Sequence, residues 1–177
     1  MVDNQLEELL CEPDGPLRPN VSVIVLNSNG DIFLGERSDE PGHWQFPQGG
    51  IEGSETLEEN AFRELSEETG ITRSSCEPLG VLTYIHEYRW PASKREKIPH
   101  LSQWVGQSQR FFVILFRGDN GEVALDKDSQ IEFTAWRWCP RAQVLSEVAP
   151  VRQVGYAGAL AELEERLQQF APFLADS

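Results

Sequence analysis

The chain has 177 residues, with 15 Lys and Arg against 29 Asp and Glu, a formal charge of −14 at pH 7. At 40% hydrophobic and 10% aromatic residues it is too apolar for a disordered acidic tail, and its longest apolar run, Phe111 to Phe116, is far short of the roughly 18 residues of a membrane span. The acidity also excludes broad binding to nucleic-acid backbone, which rests on clusters of Lys and Arg.

The first ten residues carry Asp3, Glu7 and Glu8 and no basic residue, the opposite of a targeting segment. These features predict one soluble, cytoplasmic domain over 1–177, with no membrane partner and no assigned oligomeric state. Residues 1–17 are expected to form an arm, with Pro13, Gly15, Pro16 and Pro19 breaking a short acidic helix. Strands are expected over Val21–Leu26 and Ile32–Gly35, joined by Asn27-Ser28-Asn29-Gly30, whose Asn-Gly suits a tight turn. A helix is expected over Leu57–Thr69, opened by Thr56 with Glu59 three residues on and closed by Gly70. Three β-branched or aromatic segments follow as strands: Val81–Tyr88, Phe111–Phe116 and Ile131–Trp138. A short helix is expected over Arg141–Val148 and a longer one over Gly158–Phe170, where Leu160, Leu163, Leu167 and Phe170 recur at helical spacing. The irregular interleaving predicts an α/β fold, a mixed sheet covered by helices. Cys11, Cys76 and Cys139 stand far apart and read as reduced, buried thiols.

The strongest chemical signal lies on the first helix, where Glu64, Glu67 and Glu68 share one side at i, i+3 and i+4. Counting about 100° per residue from Leu57, Ala61 and Leu65 fall near about 40° and 80°, and Glu68 falls near about 20°. Glu68 therefore lies inside the apolar stripe, and Glu64 lies just outside its edge. Carboxylates turned towards buried space among like charges must protonate or find a cation. Arg63 is the only basic residue between Gly49 and Ile71. Helix geometry alone leaves two readings open, a solvated charged face and a site for a hard divalent cation.

The spacing upstream bears on that choice. Gly49 is followed after five residues by Glu55, and after seven more by Arg63-Glu64-Leu65-Ser66-Glu67-Glu68-Thr69-Gly70-Ile71. Residues 49–71 thus resemble the Nudix box at every fixed position. The likeness extends to Arg18-Pro19-Asn20-Val21, Trp44 to Gly50, Gly106 to Phe112, Glu132-Phe133 with Trp136-Arg137-Trp138, and Pro150 to Val154. It is similar to the branch holding bacterial RNA pyrophosphohydrolases and dinucleoside polyphosphate hydrolases.

The resemblance implies a Nudix α/β/α sandwich and metal-dependent hydrolysis of pyrophosphate linkages. It makes Glu64, Glu67, Glu68 and Glu132 ligands of Mg2+ or Mn2+, with the Gln48 carbonyl as a further one. Gly49 and Gly70 then shape the loop, and Glu55 with Arg63 forms a supporting ion pair. The general base is Glu67 or Glu132, since a carboxylate not saturated by metal is free to take a proton. The implied substrate is a nucleotide or a 5′-triphosphorylated RNA end.

Residues 86–110 hold Arg89, Lys94, Arg95, Lys97 and Arg110 against Glu87 and Glu96. This segment reads as a solvated loop or as a clamp for substrate phosphates, with Arg95 and Lys97 at its centre and Tyr88 and Trp90 as stacking surfaces. Arg18, Arg37 and Tyr88 match positions that contact the 5′ end in the RNA-processing relatives. One departure concerns Ala157 and Gly158, which stand where those relatives carry an aromatic and a basic residue, with Tyr156 the available aromatic substitute. It leaves room for a dinucleoside polyphosphate as substrate. A nucleotide-binding module without turnover is the third reading, and the complete carboxylate set argues against it. Asp126-Lys127-Asp128 reads as a turn, and His43, His86 and His100 as surface or loop residues.

Overall fold

The computed structural model describes residues 15–91 and 102–175. In chain order these form β1 (Leu17–Leu26), β2 (Ile32–Arg37), β3 (Trp44–Gln45), β4 (Gln48–Gly50), α1 (Leu57–Thr69), β5 (Cys76–Arg89), β6 (Gly106–Phe116), β7 (Phe133–Cys139), α2 (Val144–Glu147) and α3 (Pro150–Ala175). The sheet runs β3-β2-β1-β6-β5, with β4 paired to β1 and β7 to β2. It is mixed: β1 and β6 run parallel from Leu17↔Gly106 to Leu26↔Leu115, and every other pairing is antiparallel.

Because successive strand residues point to opposite faces, β1 feeds two cores. Ile24 and Leu26 join Phe111, Val113 and Leu115 under Tyr156, Ala159, Leu160 and Leu163 of α3. Val21, Val23 and Val25 join Phe112 and Ile114 under Ala61, Phe62 and Leu65 of α1. A sheet with helices on both faces is the expected sandwich.

The local signals of α1 act as read. Thr56 and Glu59 form a reciprocal capping box, and Gly70 closes the helix in the left-handed region at φ 72°. The Asn27–Gly30 turn is also present, with Gly30 at φ 77°. Other boundaries move. β7 starts at Phe133, so Ile131 and Glu132 precede the strand. The last helix starts at Pro150, eight residues before the expected Gly158. Gly155 and Gly158 discourage a helix locally, yet a Cβ at either would collide with the His86 or Tyr84 ring. Close packing of the helix on β5 is therefore what selects glycine. Strands β3 and β4 were not anticipated. They are too short to carry a pattern and form because β1 and β2 offer them partners.

Cys139 is buried and Cys76 only half-buried, both as free thiols. Burial pushes the Cys76 thiol up to about 12. Cys11, His100 and most of the arm lie outside the described residues, as does the side chain of Phe170.

Candidate active site

The carboxylates sit where α1 meets β4 and the loop that joins them. Ala61 and Leu65 are fully buried against the sheet, and the same stripe carries Glu68 to 6% exposure. Its Oε2 accepts a hydrogen bond from the Gln48 backbone N–H at 3.1 Å. Glu64 keeps 12% of its side-chain exposure, and Glu67, further round the helix, keeps 44%.

A cleft of about 320 Å³ gathers Glu64, Glu67, Glu68 and Glu132 with Gln48, Gly49 and Arg18. Glu132 arrives from the loop before β7, which is tied to the β2–β3 connection: Ser38 N–H donates to the Glu132 carbonyl at 2.8 Å, and Ser38 Oγ to that of Ile131. Gly49 lies so close beneath Glu64 that a Cβ there would collide with its carboxylate.

Electrostatics follows from this crowding. Burial, reinforced by the charges of Glu64 and Glu132, pushes the Glu68 carboxyl well above the usual carboxylate range. Burial also raises Glu64 to about 7, against the pull of Arg63. Glu55 behaves oppositely: the Arg63 guanidinium, aided by the Asn60 amide, holds it down to about 2. Arg63 binds Glu55 through Nε at 2.6 Å and Nη2 at 3.1 Å, so the supporting pair is present and bidentate. Its Nη1 donates to Glu64 at 2.8 Å and to Glu67 at 3.1 Å.

The donor set suits a hard divalent cation. Six carboxylates line one cleft, Glu52 and Asp128 besides the four expected glutamates, and the most buried, Glu68, has among the described residues a single hydrogen-bond donor and two like-charged neighbours. Among the described residues no three His, Cys, Asp or Glu side chains stand close enough together to hold a metal ion as they are placed, and Arg63 Nη1 binds Glu64 and Glu67 instead.

A second cleft, also about 320 Å³, adjoins the first through Arg37, which lines both. Arg37 is gripped by Asp39, Nε to Oδ1 at 2.7 Å and Nη2 to Oδ2 at 2.6 Å. Tyr88 stacks on His86, centroids 5.1 Å apart, and its hydroxyl donates to Gln107 Oε1 at 2.8 Å. His86, Tyr88 and Arg152 border this second space, whereas Arg18 lies over Gly50 in the first.

Two expectations are corrected. Trp90 is 4% exposed and offers no free face for stacking. Tyr156 does not reach the substrate region: it is fully buried, stacks on Phe46 at 3.9 Å and accepts the Phe46 backbone N–H at 3.0 Å. His43 lies in the loop between β2 and β3, as one of the two expected settings, but is buried there, with Nδ1 2.9 Å from Glu40 and Nε2 accepting from Arg152. Lys94, Arg95 and Lys97 lie outside the described residues.

Sequence reasoning missed a layer of buried amides behind both clefts: Asn20, Gln45, Gln107 and Gln109, each at most 5% exposed. The available signal was the alternation Gln107, Gln109, Phe111, Val113, which puts both glutamines on the strand face that becomes core. Asp128, Gln130 and Glu52 also line the carboxylate cleft.

Comparison with known proteins places this geometry. The NUDIX domain model matches residues 16–158. An RNA pyrophosphohydrolase of Caulobacter vibrioides is 38% identical over 158 residues, 88% of this chain and 91% of the relative. Nudix hydrolase 25 of Arabidopsis thaliana is 32% identical over 165 residues, 90% of this chain and 89% of that protein. Among solved structures, a C. elegans Ap4A hydrolase binary complex aligns with a TM-score of 0.60 at 17% identity, covering 85% of this chain and 99% of that one. The E. coli dihydroneopterin triphosphate pyrophosphohydrolase aligns at 0.62 and 15% identity, covering 78% and 93%. At these identities the two structures share the fold alone. By the extent of the domain match and the identity to curated relatives, the chain belongs to the NUDIX family.

Proposed function

We propose that the protein is a cytoplasmic, Mg2+- or Mn2+-dependent pyrophosphohydrolase that converts 5′-triphosphorylated RNA to the monophosphate and releases pyrophosphate. The observation that carries the reading is the burial of Glu68 beside Glu64 and Glu132 with one backbone donor between them, in a chain similar over most of its length to proteins named RNA pyrophosphohydrolase. Burying two neighbouring carboxylates, Glu68 and Glu64, is costly unless a cation joins them.

Glu64, Glu67, Glu68 and Glu132 would hold a divalent cation, with the Gln48 carbonyl as a further ligand. Bound there, the cation would neutralise phosphate oxygens and lower the pKa of an attacking water. Water attacks the α-phosphorus, the bond to the bridging oxygen breaks, and pyrophosphate leaves. Glu67 or Glu132 takes the water's proton. Glu67 is the more exposed on the helix, and Glu132 reaches the same cleft from a different element, the loop before β7. Glu55 and Arg63 keep the loop at the base of α1 in register. Arg18 and Arg37 bind the phosphates, and Tyr88 receives a base in the adjoining cleft, a tandem arrangement that suits a phosphate chain ending in a nucleoside.

Hydrolysis of dinucleoside polyphosphates is the second reading. It is favoured by one observation: Ala157 and Gly158 bring no cation or aromatic ring to the cleft, and Gly158 is packed against Tyr84. Comparing Mg2+-dependent pyrophosphate release from triphosphorylated RNA with cleavage of diadenosine tetraphosphate decides between them. Faster turnover of RNA at equal enzyme supports the first reading, and turnover of the dinucleotide alone overturns it. Absence of turnover with either metal would leave a binding module.

A further inference from the structure

Gln109 is an anomaly of burial. It lies on β6 with 1% exposure, on the face whose next members, Phe111 and Val113, form the core under α3. A buried amide costs free energy unless each polar atom is matched, and an apolar side chain avoids the cost. Here both Nε2 donor contacts are used. One goes to Gln48 Oε1 at 2.6 Å, the other to Asn20 Oδ1 at 3.2 Å.

Gln48 is the residue whose backbone N–H holds Glu68. It opens β4, a strand of three residues whose other two are Gly49 and Gly50, paired to Val21 and Asn20 of β1 as Gln48 is to Ser22. Glycines leave the backbone freer than any other residue, so these three pairings fix the segment less firmly than a long strand is fixed. The side-chain anchor compensates. Arg152 adds to the hold on the same segment, donating to Gln45 Oε1 at 2.8 Å and approaching Gln48 Oε1 at 3.5 Å. Gln109 itself does not line the carboxylate cleft; it borders the adjoining one.

We infer that Gln109 is a positioning residue for the metal cleft: through Gln48 it fixes the N–H that aims the Glu68 carboxylate. The inference rests on the metal-dependent reading of that cleft. Partners one shell removed from metal ligands set ligand orientation, and their loss typically lowers metal affinity or activity by about 10- to 100-fold.

The test uses the full chain and Mn2+ alone as probe, followed by electron paramagnetic resonance without substrate. Gln109→Met removes both donors at similar volume. Gln48→Met/Gln109→Met removes acceptor and donor together, which limits the cost of unpaired buried groups and decides the matter if the single variant fails to fold. The expected result is Mn2+ binding weakened about tenfold or more in a protein that keeps its cooperative thermal transition, with kcat reduced and KM for nucleotide within about twofold of wild type. Wild-type Mn2+ affinity in a folded variant overturns the inference, as does a wild-type protein that binds no Mn2+. A wild-type protein that binds Mn2+ but turns over neither RNA nor dinucleotide would sink the hydrolase reading, while weakened Mn2+ binding in the variants would still support the role of Gln109.

Discussion

Replacing Glu64 by Gln is expected to stabilise the metal-free protein, although it removes a residue of the carboxylate cleft. Burial raises the Glu64 carboxyl from its ordinary 4.5 to about 7. Below pH 4.5 both folded and unfolded chains hold the proton and no penalty arises. As pH rises from 4.5 to 7 the unfolded chain releases its proton while the folded chain retains it, so stability falls through this window and levels off above it. The interval 7 − 4.5 is about 2.5 pH units, and at about 1.4 kcal/mol for each the penalty reaches about 3 kcal/mol. Glutamine carries no such penalty, keeps the volume, and still presents Oε1 to Arg63 Nη1, which donates to Glu64 at 2.8 Å. Urea denaturation in the presence of EDTA is therefore expected to show Glu64→Gln more stable than wild type at pH 8, by up to about 3 kcal/mol, with most of the difference gone at pH 5. Added Mg2+ should stabilise the wild type far more than the variant, closing the gap. A variant less stable than wild type at pH 8 in EDTA, or a difference independent of pH, would refute the electrostatic reasoning.

Four further outcomes follow from the same geometry. Gly49→Ala places a methyl group against the Glu64 carboxylate and is expected to weaken Mn2+ binding measured by calorimetry by at least about tenfold, with the fold intact by circular dichroism. Asp39→Asn loosens the bidentate grip on Arg37; if Arg37 binds phosphate, KM for a triphosphorylated substrate should fall while kcat holds. Tyr88→Ala, by contrast, should raise KM, and an unchanged KM would remove Tyr88 from the substrate surface. Tyr156→Phe leaves the Phe46 N–H without its acceptor and is expected to cost about 1–3 kcal/mol in denaturation with KM unchanged, as befits a core residue.

What could be read in advance depended on how local each determinant is. Helix α1 was legible to the residue because its start and stop are chemical: the Thr56–Glu59 box and the left-handed Gly70. The burial of Glu68 followed from angular position alone, since Ala61 and Leu65 define the same stripe. Pro150 was a readable start for α3, proline being suited to the first helical position, but Gly155 and Gly158 masked it; their reason, the rings of His86 and Tyr84, lies on another strand. Glu132 stands 64 residues after Glu68 (132 − 68) and enters the cleft through Ser38, a tertiary contact that no local pattern encodes. The resemblance to a family motif supplied that residue, whereas helix geometry supplied Glu68. The buried amides were hidden for a different reason: a polar residue in a strand reads as solvent-facing until its hydrogen-bond partners, here Gln48 and Asn20, are brought beside it by the fold.

The central claim is that the buried carboxylates of α1 form a cation site that drives pyrophosphate release. Its most direct test is the rate of pyrophosphate release from 5′-triphosphorylated RNA at saturating Mg2+, measured for wild type beside Glu68→Gln, which keeps the side-chain size and the Gln48 contact but removes the charge. Mg2+-dependent turnover is expected in the wild type and a loss of several orders of magnitude in the variant, with its fold preserved; wild-type turnover in Glu68→Gln would contradict a cation site at these carboxylates.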